Sequence, residues 1–163
     1  MAIEVRAFSP GDIPDMIAIW NEVVEEGIAF PQTELLDGQS GLDFFHSQSF
    51  TGVAVERETG KRVGLYILHP NHIGRCGHIS NASYAVKSGE RGKRIGESLV
   101  LHCIAKAKEL GFGILQFNAV VRTNVAALRL YQKLGFVQLG VIPGGFRMKN
   151  GSYEDIIPHY YLL

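Results

Sequence analysis

Ser80-Asn81-Ala82-Ser83-Tyr84-Ala85-Val86 and, four residues later, Arg91-Gly92-Lys93-Arg94-Ile95-Gly96 are the two stretches that decide how this chain folds. The first reads as an apolar strand, and the second is a turn rich in glycine and arginine that opens directly into a long amphipathic helix. Such a turn directs unpaired backbone N–H groups and the positive end of the helix towards one point, which favours an anion, most often a phosphate. An ordinary strand-to-helix turn with exposed basic side chains is the competing interpretation.

The segments on both sides of this turn predict an α/β (α+β) fold, a mixed sheet with helices on both faces. Upstream, the apolar pattern predicts strands at 3–7, 53–55 and 63–68, a helix capped by Asp12 and a weaker helix from Thr33. Downstream it predicts a strand at 78–86, a helix that ends at Gly111, a strand at 114–121 and a helix at 124–134. Two further strands are predicted at 136–142 and 153–162, with an interruption at 143–145 between these two strands.

Two sets of apolar residues are expected to face the core. In the weaker helix they are Leu35, Leu36, Leu42 and Phe45. In the helix behind the turn they are Ile95, Leu99, Cys103, Ala107 and Leu110.

Composition limits the classes of protein that this chain can belong to. Its 163 residues predict one domain, 1–163. Lys plus Arg and Asp plus Glu both number 16, so neither a nucleic acid nor an anionic membrane is expected as a partner. Cys76 and Cys103 are not in a CxxC spacing, and the first residues resemble a strand and not a signal peptide. The prediction is therefore a reduced, cytoplasmic protein without a membrane span.

Other phosphate-binding motifs are excluded by their spacing. A Walker loop requires Ser or Thr after the lysine, whereas Lys93 is followed by Arg94. Gly111-x-Gly113 follows a helix and precedes a strand, which is the wrong order for a dinucleotide-binding fold.

A second signature follows the first: Asn124-x-x-Ala127-x-x-Leu130-Tyr131-x-Lys133-x-Gly135-Phe136. With both signatures, nearly the whole chain resembles the GNAT superfamily of acetyl-CoA-dependent N-acetyltransferases. The family's loop pattern is Arg/Gln-x-x-Gly-x-Gly/Ala, and the chain departs from it at Arg94, where glycine is usual. The Arg94 side chain must either point away from the cofactor's pyrophosphate, which we slightly favour, or lie beside it as an additional positive clamp.

The resemblance implies a fold and a set of cofactor contacts. The sheet should be largely antiparallel and splayed in the middle, and no metal is called for. Main-chain groups of Tyr84, Ala85 and Val86 should pair with the pantetheine arm of acetyl-CoA. The pyrophosphate should be held by amides of the loop, namely Arg91, Gly92, Lys93, Arg94, Ile95 and Gly96. Asn124 should contact the cofactor, although it is also an ordinary helix N-cap. Tyr131 should be the general acid for the departing thiolate, with a core aromatic as the alternative.

The usual catalytic glutamate of the family is missing, because its position on the central strand is occupied by Asn81. An amide cannot accept the proton of the attacking amine. Three alternatives follow: a water chain removes the proton, the amine arrives neutral, or another residue acts. His78 is the nearest titratable side chain in sequence, although a lone histidine is more often a packed or solvated residue.

Asn118 interrupts an otherwise apolar strand, where a buried amide requires hydrogen-bond partners. In the fold that the resemblance implies, Asn81 and Asn118 lie on neighbouring strands where these splay apart. The two amides either orient a substrate carboxylate or amine, or bind loose backbone. Arg75 could pair with a substrate carboxylate, although loop arginines are usually solvated.

The pattern Gly74-Arg75-Cys76-Gly77-His78-x-x-Asn81, together with Phe117-Asn118-x-Val120 and the Asn124 helix, is most similar to the phosphinothricin and proline-analogue acetyltransferase branch. The resemblance therefore implies acetyl transfer to the amine of a small molecule, such as an amino acid or an analogue. Acetylation of a protein N-terminus is one alternative, although nothing acidic or groove-like is evident at 28–32. A non-catalytic acyl-CoA sensor is another. The family often forms homodimers, and the apolar end 160–163 is a candidate for the pairing surface.

Overall fold

The computed structural model describes residues 2–163. Its helices are α1 (Ile13–Glu26), α2 (Gly38–Ser47), α3 (Ile95–Glu109) and α4 (Val125–Leu134). Its strands are β1 (Ile3–Ala7), β2 (Phe50–Glu56), β3 (Arg62–Pro70), β4 (Ile79–Val86), β5 (Ile114–Val121), β6 (Val137–Gln138), β7 (Ile142–Arg147) and β8 (Tyr153–Leu162). None of the helices in this part of the chain has the length and hydropathy needed to cross a membrane.

The strands form one mixed sheet in the order β1-β2-β3-β4-β5-β8-β6, and β7 continues the line of β6 along the same edge of β8. Among the residues described, only β4 and β5 run parallel, and all other neighbours are antiparallel. The largely antiparallel mixed sheet expected from the sequence is therefore confirmed.

Helices cover both faces of the sheet, because each face carries its own apolar cluster. On one face α1 and α2 pack on Leu65, Ile67 and Ala85. On the other face α3 and α4 pack on the side chains of Tyr66 and Phe117. These two faces are called the α1/α2 face and the α3/α4 face below.

Most of the predicted stripe of α3 is buried, but Leu110 is 47% exposed because α3 ends at Glu109. The weaker helix begins at Gly38 and not near Thr33. The Asp37 carboxylate accepts a hydrogen bond from the Ser40 backbone N–H at 2.8 Å, which fixes the start of α2. Leu35 lies before that start and is 52% exposed.

Asp12 was expected to cap α1, but its side chain has a different function. The carboxylate is fully buried and is bound by the guanidinium groups of Arg6, at 2.7 Å, and Arg62, at 2.8 Å. The Arg6 hydrogen bonds lower the pKa of Asp12 far below its usual range. This buried ion pair joins β1 and β3 to the start of α1, and so positions the helix whose far end borders the candidate site.

The predicted strand at 136–142 and the predicted interruption at 143–145 were both wrong. The strand breaks at Gly140, which has a φ of +127°, and the segment with Pro143 lies inside β7. Proline is tolerated because β7 is an edge strand. A Cβ on Gly145 would lie 2.6 Å from the Ile156 side chain, so the glycine lets the two strands approach.

An opening in the sheet separates β4 from β5. The two strands pair only from Ile79 with Ile114 to Asn81 with Gln116. Beyond that point β4 continues to Val86 while paired with β3 alone, and β5 pairs with β8 across an irregularity between Phe117 and Val120. The splay predicted for the middle of the sheet therefore begins directly after Asn81.

Candidate active site

A cavity of about 720 Å³ lies at this opening and reaches from the α3/α4 face to the end of α1 on the other face. It is bordered by the end of α1, the loop before α3, and the first turns of α3 and α4. Nine of the residues expected to bind the cofactor line it: Tyr84, Val86, Arg91, Gly92, Arg94, Ile95, Gly96, Asn124 and Tyr131. Ala85 and Lys93 do not. The Ala85 side chain is buried on the opposite face, and the Lys93 ammonium binds the Glu90 carboxylate at 2.6 Å.

The backbone of β4 offers free hydrogen-bonding groups to this cavity. The Lys87 N–H donates to the Val63 carbonyl of β3 at 2.8 Å. Backbone groups along a strand point to alternate sides, so those of Ala85 also face β3, whereas those of Tyr84 and Val86 face the opening. The unpaired main chain is therefore that of Tyr84 and Val86, and not of Ala85.

The loop before α3 leaves the first amides of that helix free. Arg94 occupies the N-cap position, but no side chain of the described residues caps the helix. The first N–H of α3 with an intrahelical acceptor is that of Ser98, which donates to the Arg94 carbonyl. The amides of Ile95, Gly96 and Glu97 can therefore bind an anion. A Cβ on Gly96 would meet nothing closer than Leu130 at 3.8 Å, so packing within the protein does not explain glycine there, whereas an anion close to the backbone would.

Arg94 is the only non-glycine residue among 2–163 with a positive φ, at +60°. That left-handed conformation costs an L-residue with a Cβ about 1 kcal/mol. The structure thus explains why glycine suits this position. The strain is located directly at the mouth of the cavity, where Arg94 is exposed.

Glutamate side chains of α1 and of the loop itself hold the loop before α3 in place. The Arg91 guanidinium binds the Glu26 carboxylate of α1 at 2.5 Å, and the Ser88 N–H donates to Glu22 at 3.2 Å. The ammonium groups of Lys61 and Lys93 lower the pKa of Glu90 to about 2. The loop is therefore held against α1 and Lys61 by contacts that leave the N–H groups of Ile95, Gly96 and Glu97 unused.

The structural alternatives for Asn124 and Tyr131 are both present, and the roles expected for them towards the cofactor stay predictions. The Asn124 side chain caps α4 by accepting the Ala127 N–H at 3.3 Å, and it also lines the cavity. The Tyr131 ring packs on Phe117, with centroids 4.6 Å apart, while the residue borders the cavity. Burial raises the pKa of the Tyr131 phenol well above its ordinary value, so the hydroxyl keeps its proton.

The α1/α2 face of the opening carries a cluster of neutral amides, called the amide cluster below: Asn71, Asn81, Gln116 and Asn118. Asn81 donates to the Gln116 carbonyl at 2.9 Å, at the last pairing between β4 and β5. Asn118 donates to Asn71 at 2.7 Å and accepts from Asn71 at 3.2 Å and from Gln116 at 3.0 Å. Asn118 is exposed, so the expectation that it is buried was wrong, but its amide is fully oriented by these partners.

Two members of this region were not found from the sequence. Asn71 follows β3, and His69 lies on β3 directly opposite Asn81. The predicted strand at 63–68 ends before His69, whereas β3 continues to Pro70. The eight-residue connection at 71–78 gives no short turn from which the β3–β4 register could be counted.

His78 and Arg75 are not brought to the cavity. His78 is exposed at the start of β4, where its ring lies 3.5 Å from a Cβ position on Gly113. Arg75 is exposed in the short 3-10 turn Gly74–Cys76.

A second cavity, of about 760 Å³, lies on the other side of segment 23–30. It runs between the α1–α2 connection, including Phe30 and Gln32, and the β7–β8 hairpin, including Arg147 and Lys149. The Lys149 N–H donates to the Gly27 carbonyl at 2.9 Å and joins these walls. The expectation that 28–32 forms no groove was therefore wrong.

The chain is similar to known proteins in both sequence and structure. Residues 16–136 match the family model described as "Acetyltransferase (GNAT) family". The N-acetyltransferase aca1 of Schizosaccharomyces pombe is 34% identical, with 86% of this chain and 75% of that protein covered. An L-methionine sulfoximine/L-methionine sulfone acetyltransferase of Pseudomonas paraeruginosa is 25% identical, with 96% and 92% covered.

Among solved structures, a GCN5-related N-acetyltransferase from Kribbella flavida superimposes with a TM-score of 0.90 at 30% identity, covering 99% of this chain and 98% of that one. The free amides, the glycine at 96 and the opened sheet fit the acetyl-CoA that this family uses. The chain therefore belongs to the GNAT family and is an acetyl-CoA-dependent N-acetyltransferase.

Proposed function

We propose that the protein transfers the acetyl group of acetyl-CoA to the amine of a small molecule, an amino acid or an analogue, by direct attack in a ternary complex. The observation that carries this proposal is the amide cluster at the opening of the sheet. It offers several oriented N–H donors and amide oxygens within one small area, as recognition of an amino acid's carboxylate and amine requires. The Pseudomonas relative is named for the substrates L-methionine sulfoximine and L-methionine sulfone, which are of this class.

In this proposal the donor is held from the α3/α4 face. The free amides of Ile95 and Gly96 bind the pyrophosphate, and the backbone of Tyr84 and Val86 pairs with the pantetheine arm as an added strand would. Bound acetyl-CoA supplies an activated acyl group, the thioester. A backbone N–H of the sheet polarises its carbonyl.

The two reacting groups approach from opposite faces. The amine comes from the α1/α2 face, where Asn81 and Asn118 orient it, and Tyr131 acts from the α3/α4 face. The Tyr131 hydroxyl donates to the departing sulfur. Because a thiol is ordinarily more acidic than a phenol, this hydrogen bond stabilises the thiolate, and solvent completes its protonation as the product leaves.

A second candidate acceptor is a peptide amino terminus. The second cavity favours it, since an extended chain fits a groove between the α1–α2 connection and the β7–β8 hairpin. Glu25 lines this groove and could pair with a peptide ammonium group.

A cytoplasmic homodimer also belongs to the proposal. The backbone of Tyr160 is already paired with Gln116 of β5 and Val137 of β6. The Leu162 side chain in the same end of the chain is 67% exposed, and the side chains of Leu139 and Ile142 are 55% and 49% exposed, so these apolar groups are available for a dimer contact. A sedimentation measurement that shows a monomer would contradict the proposed homodimer.

The acceptor is tested by thiol release from acetyl-CoA. The panel contains L-methionine sulfoximine, L-methionine sulfone, phosphinothricin, proline analogues and a short peptide with a free amino terminus. We expect turnover with one or more of the amino acids and little with the peptide. Turnover with the peptide alone would support the second candidate, and acetyl-CoA binding without turnover would identify a sensor.

The role of Arg94 is tested by a pair of variants. R94A keeps a Cβ in the left-handed conformation, whereas R94G removes it, so R94G is expected to be more stable by about 1 kcal/mol in urea unfolding. Because backbone amides hold the pyrophosphate in our proposal, both should bind acetyl-CoA as the wild type does. An equal loss of affinity in both variants would identify the guanidinium as a clamp.

Tyr131 is tested by Y131F. Loss of the donor to the departing sulfur is expected to lower kcat about 100-fold while the KM for acetyl-CoA stays unchanged. Since burial raises the pKa of Tyr131, the wild-type hydroxyl stays protonated at alkaline pH, and kcat should not decline up to about pH 10. This role would be contradicted if kcat declined between pH 8 and 10 in the wild type but not in Y131F.

A further inference from the structure

An amine that attacks a thioester must lose a proton, and the amide cluster cannot take it. Asn71, Asn81, Gln116 and Asn118 carry neutral amides, whose oxygens accept hydrogen bonds but not protons at neutral pH. Proton removal therefore needs another group on the α1/α2 face of the opening.

His69 is placed there by the register of the sheet. It is the cross-strand partner of Asn81 in the antiparallel pair of β3 and β4. Side chains of directly paired residues share a face and have Cβ atoms about 5 Å apart. On β3, Leu65 and Ile67 precede His69 at alternate positions and pack into the α1/α2 cluster, so His69 lies on this face as well.

The hydrogen bonding of the ring fixes which nitrogen is basic. Nδ1 of His69 lies 2.9 Å from the Pro70 carbonyl oxygen. A carbonyl only accepts, so Nδ1 carries the proton and Nε2 carries the lone pair. Within residues 2–163, Nε2 has no hydrogen-bond partner. The side chain is half-buried and can be reached by a bound acceptor.

The charges around this ring are few. His69 shares its face of the sheet with Asn81 from β4, with Gln116 and Asn118 from β5, and with Tyr160 of β8. Tyr160 is the cross-strand partner of Gln116. Tyr160 adds a phenol as a second titratable group, and α2, which packs on this face, carries His46 in its last turn and Gln48 at its C-cap. None of these side chains is a carboxylate or an ammonium group.

We propose that His69 is the general base of the transfer, taking the proton of the attacking amine on Nε2, directly or through one water molecule. This inference rests on the proposed function for the identity of the acceptor. The amine nitrogen forms the bond to the acyl carbon, the carbon–sulfur bond breaks, and its electron pair leaves on the thiolate. The amine proton goes to Nε2 and then to solvent, while the thiolate gains a proton from solvent on release. The products are the acetylated amine and free coenzyme A.

The test compares H69Q with H72Q in thiol-release assays with L-methionine sulfone. H72Q is the matched control, because His72 is exposed and lies outside the amide cluster. H69Q is expected to lose about 100-fold in kcat at neutral pH, with unchanged acetyl-CoA affinity by calorimetry and an unchanged melting temperature. The wild type and H72Q should lose kcat/KM as the pH falls and the imidazole is protonated, whereas this dependence should be absent from H69Q. Added imidazole should restore part of the rate to H69A.

A folded H69Q with wild-type kcat and pH dependence would overturn the inference. Slow hydrolysis of bound acetyl-CoA, in which water replaces the amine, provides a readout that needs no acceptor. If the wild type acetylates no amine, the proposed acceptor class fails. The role of His69 is then still tested by the hydrolysis rates. If His69 is the general base, H69Q should hydrolyse acetyl-CoA more slowly than H72Q, and equal rates would contradict this role.

Discussion

The separation of β4 from β5 is the constraint on which the site depends. The two strands part after Asn81 and Gln116, which leaves the backbone of Tyr84 and Val86 without a partner strand. Unpaired backbone groups away from water are costly, so this arrangement is stable only if solvent or a ligand satisfies them. In the proposed mechanism, the same separation lets groups on the two faces of the sheet act on one molecule. An otherwise continuous sheet would keep Tyr131 and the amide cluster apart.

Charge pairs hold the segments around the opening in place, but they do not occupy the opening itself. The loop before α3 is fastened by pairs such as Arg91 with Glu26, and its amides are left for an anion. Arg94 holds a left-handed conformation at the start of α3, a local strain that the surrounding contacts maintain. At the opening, the amide cluster on the α1/α2 face is neutral, and His69 lies beside it opposite Asn81. Recognition there relies on the direction of hydrogen bonds, and proton transfer relies on a side chain outside the amide cluster.

Much of this structure follows from local sequence patterns, and the rest is set by contacts between strands that are far apart in the sequence. The turn at 91–96, the stripe of α3 and the Asn124 cap depend on neighbours in sequence, and they could be predicted. Leu110 was misplaced by a single residue at a helix end. The break at Gly140 could not be predicted, because the path of β7 is set by its contact with Ile156 on β8. His69 was missed for the same reason: its position opposite Asn81 follows from strand register, which a long connection hides.

The most direct test is a calorimetric titration of acetyl-CoA into the folded wild type and into a G96V variant. We expect binding at one site in the wild type. We also expect a large loss of affinity in G96V with no large loss of stability, because the added side chain occupies the space where the anion meets the free amides of α3. Failure of the wild type to bind acetyl-CoA, or equal binding by G96V, would contradict these expectations.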